Sequence, residues 1–532
     1  MGHSMRGENP SHETMFSNLN RLDIIVLVIC SLMFGMTRTR NKQKRISNAT
    51  LPPGPVPIPF LGNTLDMPRK DDRLVVTEWG KQYGDLVMVT LLGGRKVIFL
   101  NSAKAAVDLF EKRSRIYSDR PQHPLISESV GVDWNMALIP HNEVWRRQRK
   151  VFVSRFGIRR VGNYKELQES MTRQTLHRLL KNPEDFLELL HLHAGQTIMK
   201  VVYNIDVESG NDRCIQNVLR VFEVLSEASR PIAHLIDSMP ISTSNFFKHI
   251  HYFWPGVLRE RSVARMRADT EDMLNVPFSF VKTRMAQGIH EPSYVADLLE
   301  NQEAEGLDEE LIIKSAGVAY AAGAESSAAS TAAFMLAMIN YPEVQEKAQA
   351  EIDKVIGRQR LPTFSDRESL PYIYAIYKEV LRWHTVVPQG VPRVLREDDT
   401  YGGYLLPAGC SVISNTWGIL HDPAIFPDPM AFKPERYFSS DGELDLSLND
   451  PERYAFGYGR RICAGMHFAE NSLWIFIAQM LATTKISHKL DTQGRKIAAH
   501  LRPTQGLVSQ PGPFQCSIVP RFEQAISLLV KE

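Results

Sequence analysis

The sequence predicts a mainly α-helical protein with a small β region, and three features carry that prediction. Residues 308–340 lack proline and are rich in Ala, Leu and Ile, which predicts one helix about 50 Å long. Residues 466–481 are mostly apolar and lack Gly and Pro, which indicates a second, buried helix. Two short apolar runs at 86–92 and 96–100 are typical of strands.

The first 60 residues differ from the rest of the chain. Residues 1–21 are polar and form a leader. Residues 22–36 are apolar except for Asp23, and 37–60 are basic and then rich in proline. Proline at that density predicts a stiff, extended linker. No repeat or flexible linker follows, so 61–532 is expected to be one large domain.

The apolar run 22–36 is interpreted as a membrane anchor, although it is short. At 1.5 Å per residue it reaches about 22 Å, against a hydrocarbon core of roughly 30 Å. A tilted anchor, a cleaved signal peptide and an interfacial helix are the three alternatives. Cleavage is disfavoured because threonines and arginines, not small residues, occupy 37–40. The positive-inside rule then places the large domain in the cytosol, because five basic residues follow the run: Arg38, Arg40, Lys42, Lys44 and Arg45.

Composition excludes several classes of protein. The chain has 532 residues, and its net charge of +2 is too near balance to indicate a nucleic-acid partner. Its 5 cysteines are odd in number and widely spaced, so they form no disulfide framework and suit a reducing compartment.

Trp145 and Arg149 are four residues apart in a basic stretch that is predicted to be helical. At that spacing both side chains lie on one helical face. An indole N–H and a guanidinium there are suited to hold a pair of carboxylates. A solvated basic helix is the competing interpretation.

The predicted helix 308–340 contains a polar interruption, in which Gly323 is followed by Glu325 and Ser326. The structural interpretation is a packing notch beside a chance polar pair. However, a charged glutamate among so many alanines is costly to bury without purpose. Glu325 and Ser326 are therefore candidate catalytic residues.

Glu379 and Arg382 form an acid–base pair at a spacing of three residues, between apolar neighbours. Ordinary pairing on a helix surface is one explanation. A buried structural ion pair is the other.

The most informative stretch runs from Phe456 to Gly465, where a single cysteine, Cys463, lies among glycines and arginines. The helix predicted at 466–481 places Cys463 at a helix N-terminus, where backbone N–H groups and the helix dipole favour a thiolate. Gly459 and Gly465 are expected to permit backbone geometry that a side chain would forbid. A buried structural cysteine is the alternative.

This stretch resembles the haem-ligand loop of the cytochrome P450 family. The matching positions are Phe456, Gly459, Arg461, Cys463 and Gly465. The resemblance extends over 51–521, and its spacing is most similar to membrane-anchored (microsomal) members of fungi, especially the secondary-metabolism monooxygenases of basidiomycetes. It implies the cytochrome P450 fold, with haem b between the long central helix and the cysteine loop. Cys463 would be the axial thiolate.

The resemblance also assigns roles to the other candidate residues. Trp145, Arg149 and Arg393 would bind the haem propionates, and Glu325 and Ser326 would deliver protons. Arg436 would complete a buried set with Glu379 and Arg382, which would lock the cysteine loop. Ser326 stands where the family usually has threonine, so the hydroxyl is kept but the β-branch that stiffens it is lost.

The function implied is insertion of one oxygen atom from O2 into a lipophilic small molecule in secondary-metabolite biosynthesis. Electrons would come from an NADPH-dependent cytochrome P450 reductase, docked on the basic residues Arg146, Arg147, Lys150 and Arg460. The protein would be held in the endoplasmic reticulum membrane. The alternatives are a haem-thiolate isomerase, dehydratase or peroxygenase, and a non-catalytic haem sensor.

Overall fold

The computed structural model describes residues 50–68, 71–122, 127, 131–228, 263–447 and 449–530. The leader 1–21, the apolar run 22–36 and most of the linker therefore lie outside the described residues. No helix among the described residues combines the length and the apolar composition needed to cross a lipid bilayer.

The described fold is mainly helical, as the sequence predicts. The helices are α1 Asp72–Tyr83, α2 Ala103–Val107, α3 Glu143–Phe156, α4 Lys165–Lys181, α5 Phe186–Tyr203, α6 Arg213–Ala228, α7 Val263–Ala286, α8 Tyr294–Glu300, α9 Gln302–Glu305, α10 Glu309–Asn340, α11 Pro342–Val355, α12 Pro371–Trp383, α13 Thr416–Leu420, α14 Glu452–Ala455, α15 Met466–Thr483 and α16 Ala525–Val530.

The strands form small sheets at the edges of the helical body. They are β1 Leu86–Thr90, β2 Lys96–Leu100, β3 Arg393–Val394, β4 Asp399–Tyr401, β5 Tyr404–Leu406, β6 Ser411–Ser414, β7 Thr484–His488 and β8 Cys516–Pro520. One sheet has the order β1-β2-β6-β3, in which β2 and β6 are parallel, and β4-β5 and β7-β8 are two-stranded. The first strand ends at Thr90, two residues earlier than predicted, because Gly93 and Gly94 at positive φ turn the chain at once into β2.

Helix α10 is the predicted long helix. Its N-cap is Asp308, whose side chain accepts the N–H of Leu311 at 2.8 Å, and Glu309 and Glu310 occupy the first turn. It ends at Asn340, before the Tyr341-Pro342 step that starts α11. Both ends agree with the sequence-based prediction.

Two large hydrophobic clusters meet along α10. One contains Ala316 to Ala324, packed with side chains of α3, α5, α6, α7 and α8. The other contains Ala332 to Ile339, packed with α4, α11, α12 and α15. The half-buried segment Glu325 to Ser327 lies between them. The polar interruption of the helix is thus the place where the hydrophobic core divides.

Gly323 is required where α5 crosses α10. A Cβ at this position would lie 3.1 Å from Ile198 Cγ1 of α5. The packing notch considered for Gly323 therefore exists, and it lies beside the candidate catalytic pair.

Candidate active site

The loop that carries Cys463 is built by its own backbone. The Cys463 N–H donates to the Phe456 carbonyl at 2.8 Å, and a 3-10 turn at Gly459–Arg461 closes the loop between them. Gly459 has φ 52, and a Cβ there would lie 2.6 Å from the Phe110 carbonyl oxygen, so glycine is needed. Gly465 has φ −97, so its backbone conformation does not require glycine, and no protein atom lies within 4 Å of an added Cβ. Close approach of a bound group at Gly465 stays a prediction.

Cys463 is exposed and is not packed into the hydrophobic core. The protein atoms around its sulfur still reduce hydration, and this desolvation raises the pKa of the Cys463 thiol above its usual range. A hydrogen bond from the Gly465 N–H and the charge of Arg149 oppose that rise without cancelling it. The backbone N–H at the helix N-terminus therefore favours the thiolate, as the sequence predicts, but burial opposes it more strongly. A cation bound at the sulfur would favour the thiolate further.

Three guanidinium groups are buried near this loop. Arg461 of the loop donates to the carbonyls of Ser118, Met136 and Ile139 at 2.8 to 3.0 Å. Burial lowers the pKa of Arg461 to about 10.

Arg393 and Arg120 complete the group of three. Arg393 starts β3 and donates to the carbonyls of Phe110 and Tyr458 at 3.1 and 2.7 Å. Burial, together with the charge of Arg461, lowers the pKa of Arg393 to about 9. For Arg120, burial and then the charges of Arg461 and Arg393 lower the pKa well below its usual range. The three cations are thus close enough to repel one another.

No carboxylate in the described part of the chain lies within salt-bridge distance of Arg120, Arg393 or Arg461. Asp119 attracts Arg120 and Arg461 at longer range, but its carboxylate is bound to Arg396 at 3.1 Å. Buried charges in native proteins are normally paired, so three together call for an anion that the described residues do not supply. A buried dianion beside an open cysteine sulfur fits the two propionates and the iron of haem b.

Trp145 and Arg149 lie on α3 next to these groups. The Trp145 ring is buried, and the Arg461 guanidinium lies 4.6 Å from the ring centroid. The indole N–H of Trp145 donates no hydrogen bond to another described residue. Arg149 donates to the Ile462 carbonyl at 2.7 Å, beside Cys463. The structure therefore places Trp145 at the arginine cluster and Arg149 at the cysteine loop.

Glu325 and Ser326 are oriented differently on α10. The Ser326 hydroxyl donates a hydrogen bond to the Ala322 carbonyl, one turn back, at 2.7 Å. Ala322 is exposed, whereas most of the surrounding helix is buried. The Glu325 carboxylate instead accepts a hydrogen bond from Gln510 Nε2 at 3.0 Å.

Glu379 and Arg382 are fully buried, which excludes the surface-pair explanation. Arg382 donates to both Glu379 oxygens at 2.7 and 2.8 Å, and Arg436 Nε donates to both at 3.1 Å. The carboxylate also accepts the Lys433 N–H at 2.8 Å and the Tyr437 hydroxyl at 3.0 Å. Burial by itself would lower the pKa of Arg382. The charge of the Glu379 carboxylate and its hydrogen bonds to Arg382 outweigh this effect, so the pKa of Arg382 is raised.

Sequence reasoning missed Arg120 and Tyr437. Arg120 follows Asp119 and precedes Pro121, a composition typical of a solvated turn, and no local signal distinguishes it. Tyr437 directly follows Arg436 in the sequence. Its position next to a predicted member of the buried ion-pair set was the signal that could have identified it.

An exposed cysteine beside three buried guanidiniums that no described carboxylate pairs fits a haem-thiolate protein. The sequence profile described as Cytochrome P450 matches residues 52–518. A cytochrome P450 monooxygenase of Postia placenta is 38% identical over 505 residues, which cover 94% of this chain and 96% of that protein. A cytochrome P450 monooxygenase of Armillaria gallica is 38% identical over 91% of this chain and 95% of that protein. The tryptamine 4-monooxygenase of Psilocybe cyanescens is 33% identical over 94% of this chain and 99% of that protein.

The chain therefore belongs to the cytochrome P450 family. The predicted fold, the family and the resemblance to fungal monooxygenases are confirmed. The protein is a haem-thiolate monooxygenase that carries haem b on an axial cysteine. It uses O2, a small-molecule substrate and a redox partner.

Proposed function

We propose that Cys463 is the axial ligand and that the enzyme hydroxylates, or oxidises in a related way, a lipophilic small molecule of secondary metabolism. The observation that carries this assignment is the cluster of three buried guanidiniums, which no carboxylate among the described residues pairs, near the exposed Cys463. The Psilocybe relative is named for oxidation of tryptamine, which supports a small aromatic or similar molecule as the substrate class.

In this proposal each residue of the cluster has a defined role. Arg120, Arg393, Arg461 and the free indole N–H of Trp145 hold the haem propionates, and Arg149 fixes the Cys463 loop through the Ile462 carbonyl. Haem bound to the Cys463 thiolate would supply O2 binding and O–O bond cleavage.

Glu325 and Ser326 move protons into the cleft. The Ser326 hydroxyl is held on the Ala322 carbonyl at the exposed break in the buried helix, and the Glu325 carboxylate is its neighbour in the chain. General acid–base groups placed in this way typically contribute 10²–10⁴-fold, an order-of-magnitude figure, to a rate.

Ser326→Thr should raise the amount of product formed per NADPH consumed. The added methyl group restricts rotation about χ1, so the hydroxyl is held more often in one orientation. The measurement is the ratio of product to NADPH, with peroxide quantified as the by-product. Ser330→Thr, one turn further along α10, is the control because Ser330 donates in the same way to the Ser326 carbonyl. An unchanged or lower ratio in Ser326→Thr would show that the missing β-branch has no effect on proton delivery.

Electrons come from an NADPH-dependent cytochrome P450 reductase in this proposal. Arg146 and Lys150 of α3 and Arg460 of the cysteine loop are exposed, so they can meet an acidic partner on the side of the protein that carries Cys463. Two of the exposed arginines are already paired at the surface: Arg146 with Glu143 at 3.2 Å and Arg147 with Asp308 at 2.9 Å. The test is product formation with NADPH and reductase compared with peroxide alone. Turnover only with peroxide would indicate a peroxygenase.

The same proposal places the protein on the endoplasmic reticulum membrane, with the domain that begins at residue 61 in the cytosol. The described residues add one supporting observation, a run of six consecutive exposed apolar residues at 56–61. Val56 is 87% exposed and Phe60 is 77% exposed. Such a run is unusual on a soluble surface and is typical of a lipid contact.

This apolar turn is held rigidly. Ile58 and Gly62 exchange backbone hydrogen bonds at 3.0 and 2.7 Å, and the buried Asn63 bonds to the Pro55 carbonyl and to Thr90 on β1. The exposed side chains are thus presented from a fixed base.

Replacing Phe60 and Leu61 by glutamate should lower liposome binding of a chain that begins at residue 37, and so lacks the expected anchor, about tenfold or more, because each large apolar side chain buried is worth about 1.5–3 kcal/mol. Flotation with vesicles measures the bound fraction. Ile289→Glu is the matched control, since Ile289 is apolar and 53% exposed but lies far along the chain from this turn. Equal flotation of the unsubstituted protein and the double variant would show that the turn at 56–61 does not contact the membrane.

A further inference from the structure

Glu325 is held by residues outside the proton-delivery pair. Its side chain is 14% exposed and is approached from two other parts of the fold, the C-terminal segment and helix α5. The orientation of the Glu325 carboxylate depends on these two neighbours.

Gln510 is the first neighbour. Its side-chain amide donates to Glu325 Oε2 at 3.0 Å and to the Glu325 backbone carbonyl at 3.3 Å. The backbone of Gln510 is itself fixed, since its N–H donates to Thr504 Oγ1 at 2.9 Å and its carbonyl accepts the Thr504 N–H at 2.8 Å. A neutral amide on a braced turn can fix a carboxylate without repelling it.

His191 is the second neighbour. It lies on α5, and its Nδ1 is 3.9 Å from Glu325 Oε1, too far for a direct hydrogen bond and within reach of one bridging water. The His191 side chain is 38% exposed. His191 therefore links solvent to a carboxylate that is itself largely enclosed.

We propose that His191 is the solvent-side entry of protons to Glu325 and that Gln510 is the latch that fixes the Glu325 carboxylate. A proton passes from water to the His191 imidazole, from there to the Glu325 carboxylate, and then to the Ser326 oxygen. Ser326 releases its own hydroxyl proton to the reacting oxygen of the bound molecules as it accepts this one, so that each group returns to its starting form. Both are positioning residues, and the inference rests on the proposed role of Glu325 and Ser326.

The latch is tested without turnover by a double-mutant cycle on the resting ferric protein. Gln510→Leu should lower the melting temperature by about 1–2 °C, since a charge-assisted hydrogen bond is lost from a large chain. In the Glu325→Ala background the same substitution should have no further effect. An equal loss in both backgrounds would mean that Gln510 acts on packing alone, and the latch would be wrong.

The proton entry is tested with His191→Gln. His177→Gln on α4 is the matched control, because no carboxylate of the described residues lies within salt-bridge distance of His177. We expect product per NADPH to fall about threefold to tenfold in His191→Gln, below the 10²–10⁴-fold of a direct catalytic acid. The solvent deuterium isotope effect on kcat should rise while KM is unchanged. His177→Gln should match the wild type.

Two further variants separate the possible failures. If Glu325→Ala and Ser326→Ala lower the product ratio but His191→Gln changes neither that ratio nor the isotope effect, the entry through His191 is wrong and the proposed function stands. If Glu325→Ala and Ser326→Ala also leave the ratio unchanged, the proposed proton path itself fails. In that case the melting cycle still decides whether Gln510 holds Glu325.

Discussion

Cys463→Ser should abolish NADPH-driven oxygenation. A serine hydroxyl has no thiolate to donate to the haem iron, so the electron density that favours O–O cleavage is lost. Product formation with reductase, O2 and substrate should fall to the level of a reaction without enzyme. The carbonyl adduct of any reduced haem that still binds should lose its thiolate-type Soret band.

Cys214→Ser is the control for this substitution. Cys214 is half-buried, and burial raises the pKa of its thiol to about 11, so it is an inert thiol away from the loop. This variant should keep both oxygenation and the carbonyl spectrum. Retained NADPH-driven turnover in Cys463→Ser would contradict the assignment of Cys463 as the ligand.

Glu379→Ala should remove most of the haem-loaded protein. The substitution leaves the guanidiniums of Arg382 and Arg436 without their shared counter-charge, and Arg382 is fully buried. Removing one partner of a buried ion pair costs about 3–5 kcal/mol. The folding equilibrium constant should therefore fall by roughly two to four orders of magnitude. Purification yield and the ratio of haem to protein absorbance measure the resulting loss of loaded protein.

Glu435→Ala provides a matched control in the same short turn. Glu435 is 46% exposed and pairs at the surface with Lys347, which is 58% exposed. Surface pairs contribute about 0–1 kcal/mol, so haem loading should be nearly normal. Normal loading in Glu379→Ala, or an equal loss in both variants, would show that the buried set does not hold the cysteine loop.

The sequence was sufficient where the determining contacts are local. The limits of α10 follow from one capping aspartate and one Tyr-Pro step, and the Glu379–Arg382 pair follows from a three-residue spacing. The order of residues around Cys463 was equally informative, because a loop closed by its own backbone keeps its pattern in a short stretch.

Contacts between distant parts of the chain could not be predicted in the same way. Arg120 donates to the carbonyls of Val391 and Pro392, about 270 residues further on, and nothing beside it in the sequence indicates burial. The state of the Cys463 thiol depends on how completely the surrounding walls exclude water, and this is a property of the assembled fold. The Gln510–Glu325 contact has the same origin, since it joins α10 to a turn near the C-terminus.

The most direct test is the absorption spectrum of the purified wild-type chain after reduction under carbon monoxide. Cysteine thiolate bound to haem iron should give the strongly red-shifted Soret band of a haem-thiolate carbonyl, and Cys463→Ser should lack it. A colourless protein, or a carbonyl band at the position typical of histidine-ligated haem, would contradict a sulfur-bound iron in this cleft.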